Sequence, residues 1–250
     1  MKALFILLII TADLLPLKTV HHRSVQPLIK QVPVLVYHNI SKYPAKENLL
    51  FISEKNFARQ LKGLYDSGYH AILPNQLAAY YNGSTFLPAK PVIISFDDSH
   101  AAQYTLALPA LKQYGFKAVF FVMTVTINKK GFFSSGWIKE IEQQGHIIGA
   151  HTWDHPNLKH QLPNQLSRQL MPPKKTLEAI TGKTVDCFAY PYGAWDENLL
   201  AAIQKAGFAT AFQLTNKSSN QYPLLTIRRM MVNGAWMPST LIQQMDIAFP

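Results

Sequence analysis

Val92-Ile93-Ile94-Ser95-Phe96-Asp97-Asp98-Ser99-His100 is the stretch that decides how the chain is read. Val92 to Ser95 are largely apolar and β-rich, the pattern of a strand buried on both faces. The strand runs through Phe96 straight into two adjacent carboxylates. Charge at the tip of a buried strand is costly unless a cation or hydrogen bonds offset it. In α/β architectures ligand sites lie beyond the carboxyl ends of parallel strands. Asp97 and Asp98 therefore mark the floor of a site, and other residues should converge on it.

Outward from this stretch, strand and helix signals alternate. Strands are predicted at Val32–Tyr37, Tyr69–Leu73, Ala118–Met123, His146–Ala150, Val185–Ala189, Thr210–Leu214 and Leu225–Met230. Helices are predicted from a Ser53 cap to about Ser67, with Phe57, Leu61, Leu64 and Tyr65 as the apolar face, and at Gln76–Tyr81, Ala101–Tyr114, Ser135–Gln144, Asp196–Ala206 and Pro238–Met245. Leu166–Thr181 also reads as helix, but Pro172-Pro173 should kink or break it. About seven parallel strands, most followed by a helix, fit a distorted (β/α) barrel in a single domain over 31–250.

Composition sets the outer bounds. The 250 residues are 48% hydrophobic and only 15% charged, which describes a globular chain with a sizeable core. The net charge of +10 comes from scattered Lys and Arg with no run of five or six, so a basic surface is read rather than a nucleic-acid site. Cys187 is the single cysteine and lies in an apolar run, so no intrachain disulfide forms and an inert buried thiol is expected. Lys2 followed by the apolar Ala3–Ile10 resembles a secretory signal and stops short of the roughly 20 residues a membrane span needs. Residues 1–30 are set apart as signal plus linker. Export is expected, with membrane attachment through an uncleaved anchor as the alternative, and the chain is expected to act as a monomer.

Several predicted strand ends carry polar residues: His38, Asp97-Asp98, His151 and the Tyr190–Gly193 turn. A barrel delivers all of these to one face. In His151-Thr152-Trp153-Asp154-His155-Pro156, two histidines four apart can point the same way on a turn. With one carboxylate they form a His-His-Asp set that leaves positions open, as catalytic metal sites do. Taken singly, Asp98 also suits a helix cap before Ala101.

These segments resemble the polysaccharide deacetylases, carbohydrate esterase family 4. Ser95-Phe96-Asp97-Asp98 is similar to the family's Thr-Phe-Asp-Asp. His151 to Pro156 matches His-Ser/Thr-x-x-His-Pro, and Tyr190-Pro191-Tyr192-Gly193 resembles the third motif, Arg-x-Pro-Tyr-Gly. The resemblance spans Val32 to Val232 and leans towards the branch that deacetylates poly-N-acetylglucosamine. It implies Asp97 as general base, Asp98, His151 and His155 as metal ligands, and the Tyr192 N–H as an oxyanion donor. It further implies a polysaccharide substrate and a divalent ion; availability and ligand type favour Zn²⁺, and Co²⁺ or Ni²⁺ would bind too.

Two departures stand out. Ala189 occupies the place of the Arg that steadies the base, and the Leu-x-His that supplies the general acid is missing; the chain there reads Leu225-Thr226-Ile227-Arg228-Arg229. His38 is the candidate acid. One of Arg228 and Arg229 should face inward and can steady Asp97. His100 is placed at the rim or on a helix surface. Trp153, Tyr192, Trp195, Trp236 and the Phe132-Phe133 pair are candidate sugar platforms. A non-catalytic glycan-binding protein, an O-acetyl esterase and an Fe(II) oxygenase are the competing functions.

Overall fold

A computed structural model describes residues 31–250. The expected N-terminal signal or anchor lies outside the described residues. The strands are β1 (Val34–Tyr37), β2 (Asn39–Ser41), β3 (Phe51–Ser53), β4 (His70–Ala71), β5 (Pro91–Phe96), β6 (Val119–Val122), β7 (Ile147–Ala150), β8 (Cys187–Ala189), β9 (Thr210–Gln213), β10 (Ile227–Arg228) and β11 (Met230–Met231). The α-helices are α1 (Glu54–Asp66), α2 (Pro74–Tyr81), α3 (Leu108–Gln113), α4 (Ser135–Gln143), α5 (Pro163–Thr181), α6 (Glu197–Lys205) and α7 (Pro238–Ala248).

The main sheet runs β10-β9-β8-β7-β6-β5-β1-β11, with β4 paired to β5, and every pairing is parallel. Its two edges, β10 and β11, are separated in sequence by Arg229 alone. The segment 227–231 therefore walks from one edge of the sheet to the other and draws it nearly into a ring. This is the expected distorted (β/α) barrel. The predicted strand over Leu225–Met230 is thus two short pieces, because its first half pairs with β9 and its second with β1.

Side-chain alternation divides the core in two. Val34, Ile93, Val119, Phe121, Cys187, Ala189 and Phe212 fill the barrel interior with Val32, Ile72 and Leu77. Leu35, Tyr37, Ile94, Phe96, Phe120, Ile148 and Phe188 lie in the layer packed with the helices. The same parity continues past the strand ends. His38 follows Val34 and Val36, Asp97 follows Ile93 and Ser95, His151 follows Gly149, and Arg229 follows Ile227. All four are delivered to the mouth of the interior.

Gly149 on β7 makes this packing possible. A Cβ there would sit 2.5 Å from Cδ1 and 2.6 Å from Cε1 of Phe121. The Phe121 ring packs 5.4 Å from that of Phe212 and lies 5.3 Å beneath the Arg229 guanidinium.

Other expectations fail for physical reasons. The Pro172-Pro173 pair does not end α5, which continues from Pro163 to Thr181. Burial of Leu170, Pro173, Lys174 and Leu177 holds the helix through the missing N–H groups. Lys174 also donates to the Val185 carbonyl and pairs with Glu178 at 3.0 Å. The helix predicted from Ala101 begins as a π-turn over Gln103–Ala107 before α3. Tyr65, placed on the buried face of α1, is exposed. Two short parallel strands, β2 and β3, carry no clear alternation and went unpredicted.

Gly149→Ala is expected to cost about 1–3 kcal/mol through overpacking against Phe121 and to lower Tm by several degrees. Thermal unfolding followed by circular dichroism checks this; an unchanged Tm would show that Phe121 moves freely.

Candidate active site

At the mouth of the barrel, Asp97 is almost fully buried, as is Arg229. The guanidinium grips the carboxylate in fork geometry, Nη1 to Oδ1 at 2.6 Å and Nη2 to Oδ2 at 2.8 Å. Burial alone would raise the Asp97 pKa, but Arg229 and, less strongly, His151 hold it well below the ordinary carboxylate range. Asp97 is therefore an anion at any working pH. The fork occupies two of roughly four lone-pair sites on the carboxylate, leaving others to accept a proton. Of the two arginines, Arg229 is the one that faces inward. Arg228 points out, donating to the Ala248 carbonyl at 2.6 Å and lying 5.4 Å from the Phe249 ring centre.

Asp98, His151 and His155 converge. One ligand atom from each lies within 4.8 Å of the others. His151 Nε2 and His155 Nε2 stand 3.7 Å and 3.8 Å from Asp98 Oδ1. His151 Nδ1 lies 2.8 Å from the Ala189 carbonyl, to which it donates, so Nε2 presents its lone pair to the cluster. Burial lowers the His151 pKa to about 4, and it lowers that of His155 as well. Both imidazoles are thus neutral, the form that binds a metal. Burial, with the neighbouring Asp97 charge, pushes Asp98 up to about 6. Two neutral imidazoles and one carboxylate, with their free atoms turned to a common point, fit a divalent cation of the zinc type.

The backbone is bent to achieve this. Among the described residues seven non-glycines have positive φ, and five of them are here: Asp98 (72°), Ser99 (55°), Thr152 (66°), His155 (64°) and Tyr192 (60°). Such conformations cost of order 1–3 kcal/mol each and persist where the surroundings enforce them. Thr152 Oγ1 accepts from the His155 N–H at 3.0 Å, closing the turn that brings the second imidazole back over the first. The Tyr192 ring meets His155 edge-on at 4.6 Å and is otherwise open to solvent.

His38 Nε2 is 3.9 Å from Asp97 Oδ2, and burial lowers its pKa although Asp97 opposes this. Below it lies a residue that sequence reasoning missed. Gln103, fully buried in the π-turn, donates through Nε2 to the carbonyls of both His38 (2.9 Å) and Asp97 (2.5 Å). It ties together the ends of β1 and β5. An amide within a helical run gives no sequence signal of such a role. His100 lies at the rim, 3.9 Å from Asp98 Oδ2 and stacked on Phe132 at 5.2 Å. Phe133 is wholly buried and is no sugar platform. Trp195 and Trp236 pack partly against the core, whereas Trp153 and Tyr192 are exposed. Cys187 is buried, with its thiol pKa pushed far up by burial, as expected of an inert thiol.

The model of the polysaccharide deacetylase family matches residues 86–211, half of the chain. The chain belongs to the polysaccharide deacetylase family. It is 32% identical over 178 residues to the Bacillus subtilis protein YxkH, an alignment covering 71% of this chain and 62% of that one. It is 27% identical over 218 residues to the poly-β-1,6-N-acetyl-D-glucosamine N-deacetylase of Staphylococcus aureus, covering 75% of each. Among solved structures it resembles the Streptococcus pyogenes deacetylase PplD in complex with acetate. The TM-score is 0.79 at 26% identity, over 87% of this chain and 98% of that one. The chain thus spans less than two thirds of YxkH.

Two outcomes follow from this geometry. Arg229→Met should destabilise the fold by about 3–5 kcal/mol, because it leaves a buried carboxylate unpaired. Arg229→Met combined with Asp97→Asn should cost much less than the sum of the singles, a coupling read by denaturant unfolding of the four variants. Co²⁺ affinity, measured by calorimetry between pH 5 and 7.5, should be flat above about pH 6 and fall about tenfold per unit below it. The proton that Asp98 holds up to about 6 must then leave on binding, while His151 stays neutral down to about 4. A flat profile down to pH 5 would remove Asp98 from the ligand set.

Proposed function

We propose that the protein hydrolyses N-acetyl groups from an N-acetylglucosamine-containing polysaccharide, using a divalent metal held by Asp98, His151 and His155. The observation that carries this reading is the convergence of those three ligand atoms beside a second, buried carboxylate, Asp97, at the mouth of the barrel. The family membership and the name of the Staphylococcus relative support the substrate class. The apolar run at Ala3–Ile10 supports export to where such polymers lie.

A bound divalent ion would polarise the acetyl carbonyl and lower the pKa of water from about 15.7 towards 7. The chain's own groups do the rest. Asp97 takes a proton from the attacking water. Arg229 keeps Asp97 strongly acidic, so the proton is passed on rather than retained. His38 Nε2, 3.9 Å away, receives it and delivers it to the departing sugar nitrogen. Gln103 fixes the spacing of the two by holding both backbones. The Tyr192 N–H donates to the oxyanion, a contribution of roughly 3–4 kcal/mol in comparable sites. Pro191 before it stiffens the turn, and Gly193 after it permits an approach to Leu214 that a Cβ would block at 2.4 Å.

Arg229 also bears on the non-catalytic alternative. That reading drew on the missing motif arginine and the missing acid, and the inward guanidinium fills the first gap from a different strand.

Acetate release from poly-β-1,6-N-acetylglucosamine, chitooligosaccharides and peptidoglycan tests the proposal. Activity on at least one is expected, lost with a chelator and restored by Zn²⁺ or Co²⁺. Asp97→Asn should lower kcat by on the order of 10²–10⁴, and His38→Gln should lower kcat with little change in KM. Turnover that survives both chelation and Asp97→Asn would overturn it.

A further inference from the structure

Beside the loop that carries His151 and His155 lies a groove of about 450 Å³, lined by Trp153, Gln161, Gln165, Arg168, Gln169 and Pro172. That size falls within the roughly 300–1,000 Å³ of small-molecule sites. Trp153, between the two histidines in sequence, is 49% exposed and forms its apolar wall. Its backbone is fixed from two sides: its N–H donates to Gln169 Oε1 at 3.0 Å, and its carbonyl accepts from the Val125 N–H at 2.9 Å. Buried Gln169 also donates to Asp154 Oδ1 at 2.8 Å, clamping the loop to α5. An exposed tryptophan on so rigid a mount is held ready for a partner rather than packed against the protein.

The opposite wall is polar and unspent. Gln165 uses its Oε1 to accept from the Leu162 N–H at 2.9 Å, leaving its amide N–H groups free. The side chains of Gln161 and Arg168 enter no hydrogen bond or ion pair among the described residues. Pro172, which lines the groove, presents a rigid apolar ring there. The groove therefore offers a flat apolar ring, side-chain amides that donate and, at Gln161, can accept, and a guanidinium, with no carboxylate in its lining. A pyranose matches this list, having C–H faces for the ring and hydroxyls that both donate and accept. A carboxylate-bearing peptide would use Arg168 and leave the remainder unmatched.

We propose that this groove is a saccharide subsite, taking the N-acetylhexosamine unit that flanks the one being deacetylated. Trp153 is its stacking face, and Gln165 and Arg168 bind the hydroxyls. The inference rests on the proposed function for the neighbouring centre. The test is separable from turnover, because binding is measured on the full chain kept metal-free with a chelator.

Calorimetric titrations with β-1,4- and β-1,6-linked N-acetylglucosamine oligomers of one to five units provide the reading. Affinity for at least one linkage should rise with length over the first three units. Trp153→Ala and, independently, Gln165→Leu/Arg168→Leu should each abolish that rise and weaken the pentamer about tenfold, a change of about 1.4 kcal/mol. Stoichiometric Co²⁺ binding should be unchanged in the α5 double variant. Length-dependent binding that the variants remove supports the subsite even if the parent chain releases no acetate. Equal pentamer affinity in parent and variants, or no saturable binding of either linkage, would overturn it, even if the parent chain is an active deacetylase.

Discussion

The buried pair of Asp97 and Arg229 is the constraint on which the structure turns. Its two halves come from neighbouring parts of the ring with only β1 between them, Asp97 from the end of β5 and Arg229 from the break between β10 and β11, where the sheet's two edges meet. Each would be costly to bury alone, and each neutralises the other where both side chains are almost wholly buried. One interaction thereby helps hold the ring closed and fixes the charge of the group that faces His38 and His151. Phe121 beneath the guanidinium, and Gly149 beneath Phe121, extend this dependence into the barrel core.

Around that pair the chemistry is sorted by environment. Two carboxylates adjacent in sequence behave oppositely because only one has an arginine. Asp97 is held ionised, while burial and the Asp97 charge raise Asp98, which is suited to giving up its proton to a cation. The imidazoles of His151 and His155 are kept neutral by burial, and the Ala189 carbonyl sets which nitrogen of His151 is free. Ala189, where the family pattern has arginine, thus serves through its backbone.

Much of this was legible in the sequence. The buried run Val92–Phe96 ending in two aspartates and the His-x-x-x-His turn located the cluster, because strand periodicity and spacing fix direction with little help from context. The inward course of one of Arg228 and Arg229 followed from alternation, although the choice between them depends on where the strand breaks. Gln103 was not legible, since its role comes from a π-turn and from two carbonyls distant in sequence. The proline pair misled for the opposite reason. Local chemistry argues for a break, but the buried face of α5 outweighs it. Phe133 likewise reads as a loop residue and is core, because the 129–135 loop folds back onto Ser99 through the Phe133 N–H at 3.0 Å.

The most direct test of the account is X-ray absorption at the metal edge of the Zn²⁺-loaded protein. One ion per chain is predicted, bound by two imidazole nitrogens and at least one carboxylate oxygen, with the imidazole signal lost in His151→Ala. An all-oxygen shell, or a spectrum unchanged in His151→Ala, would contradict it.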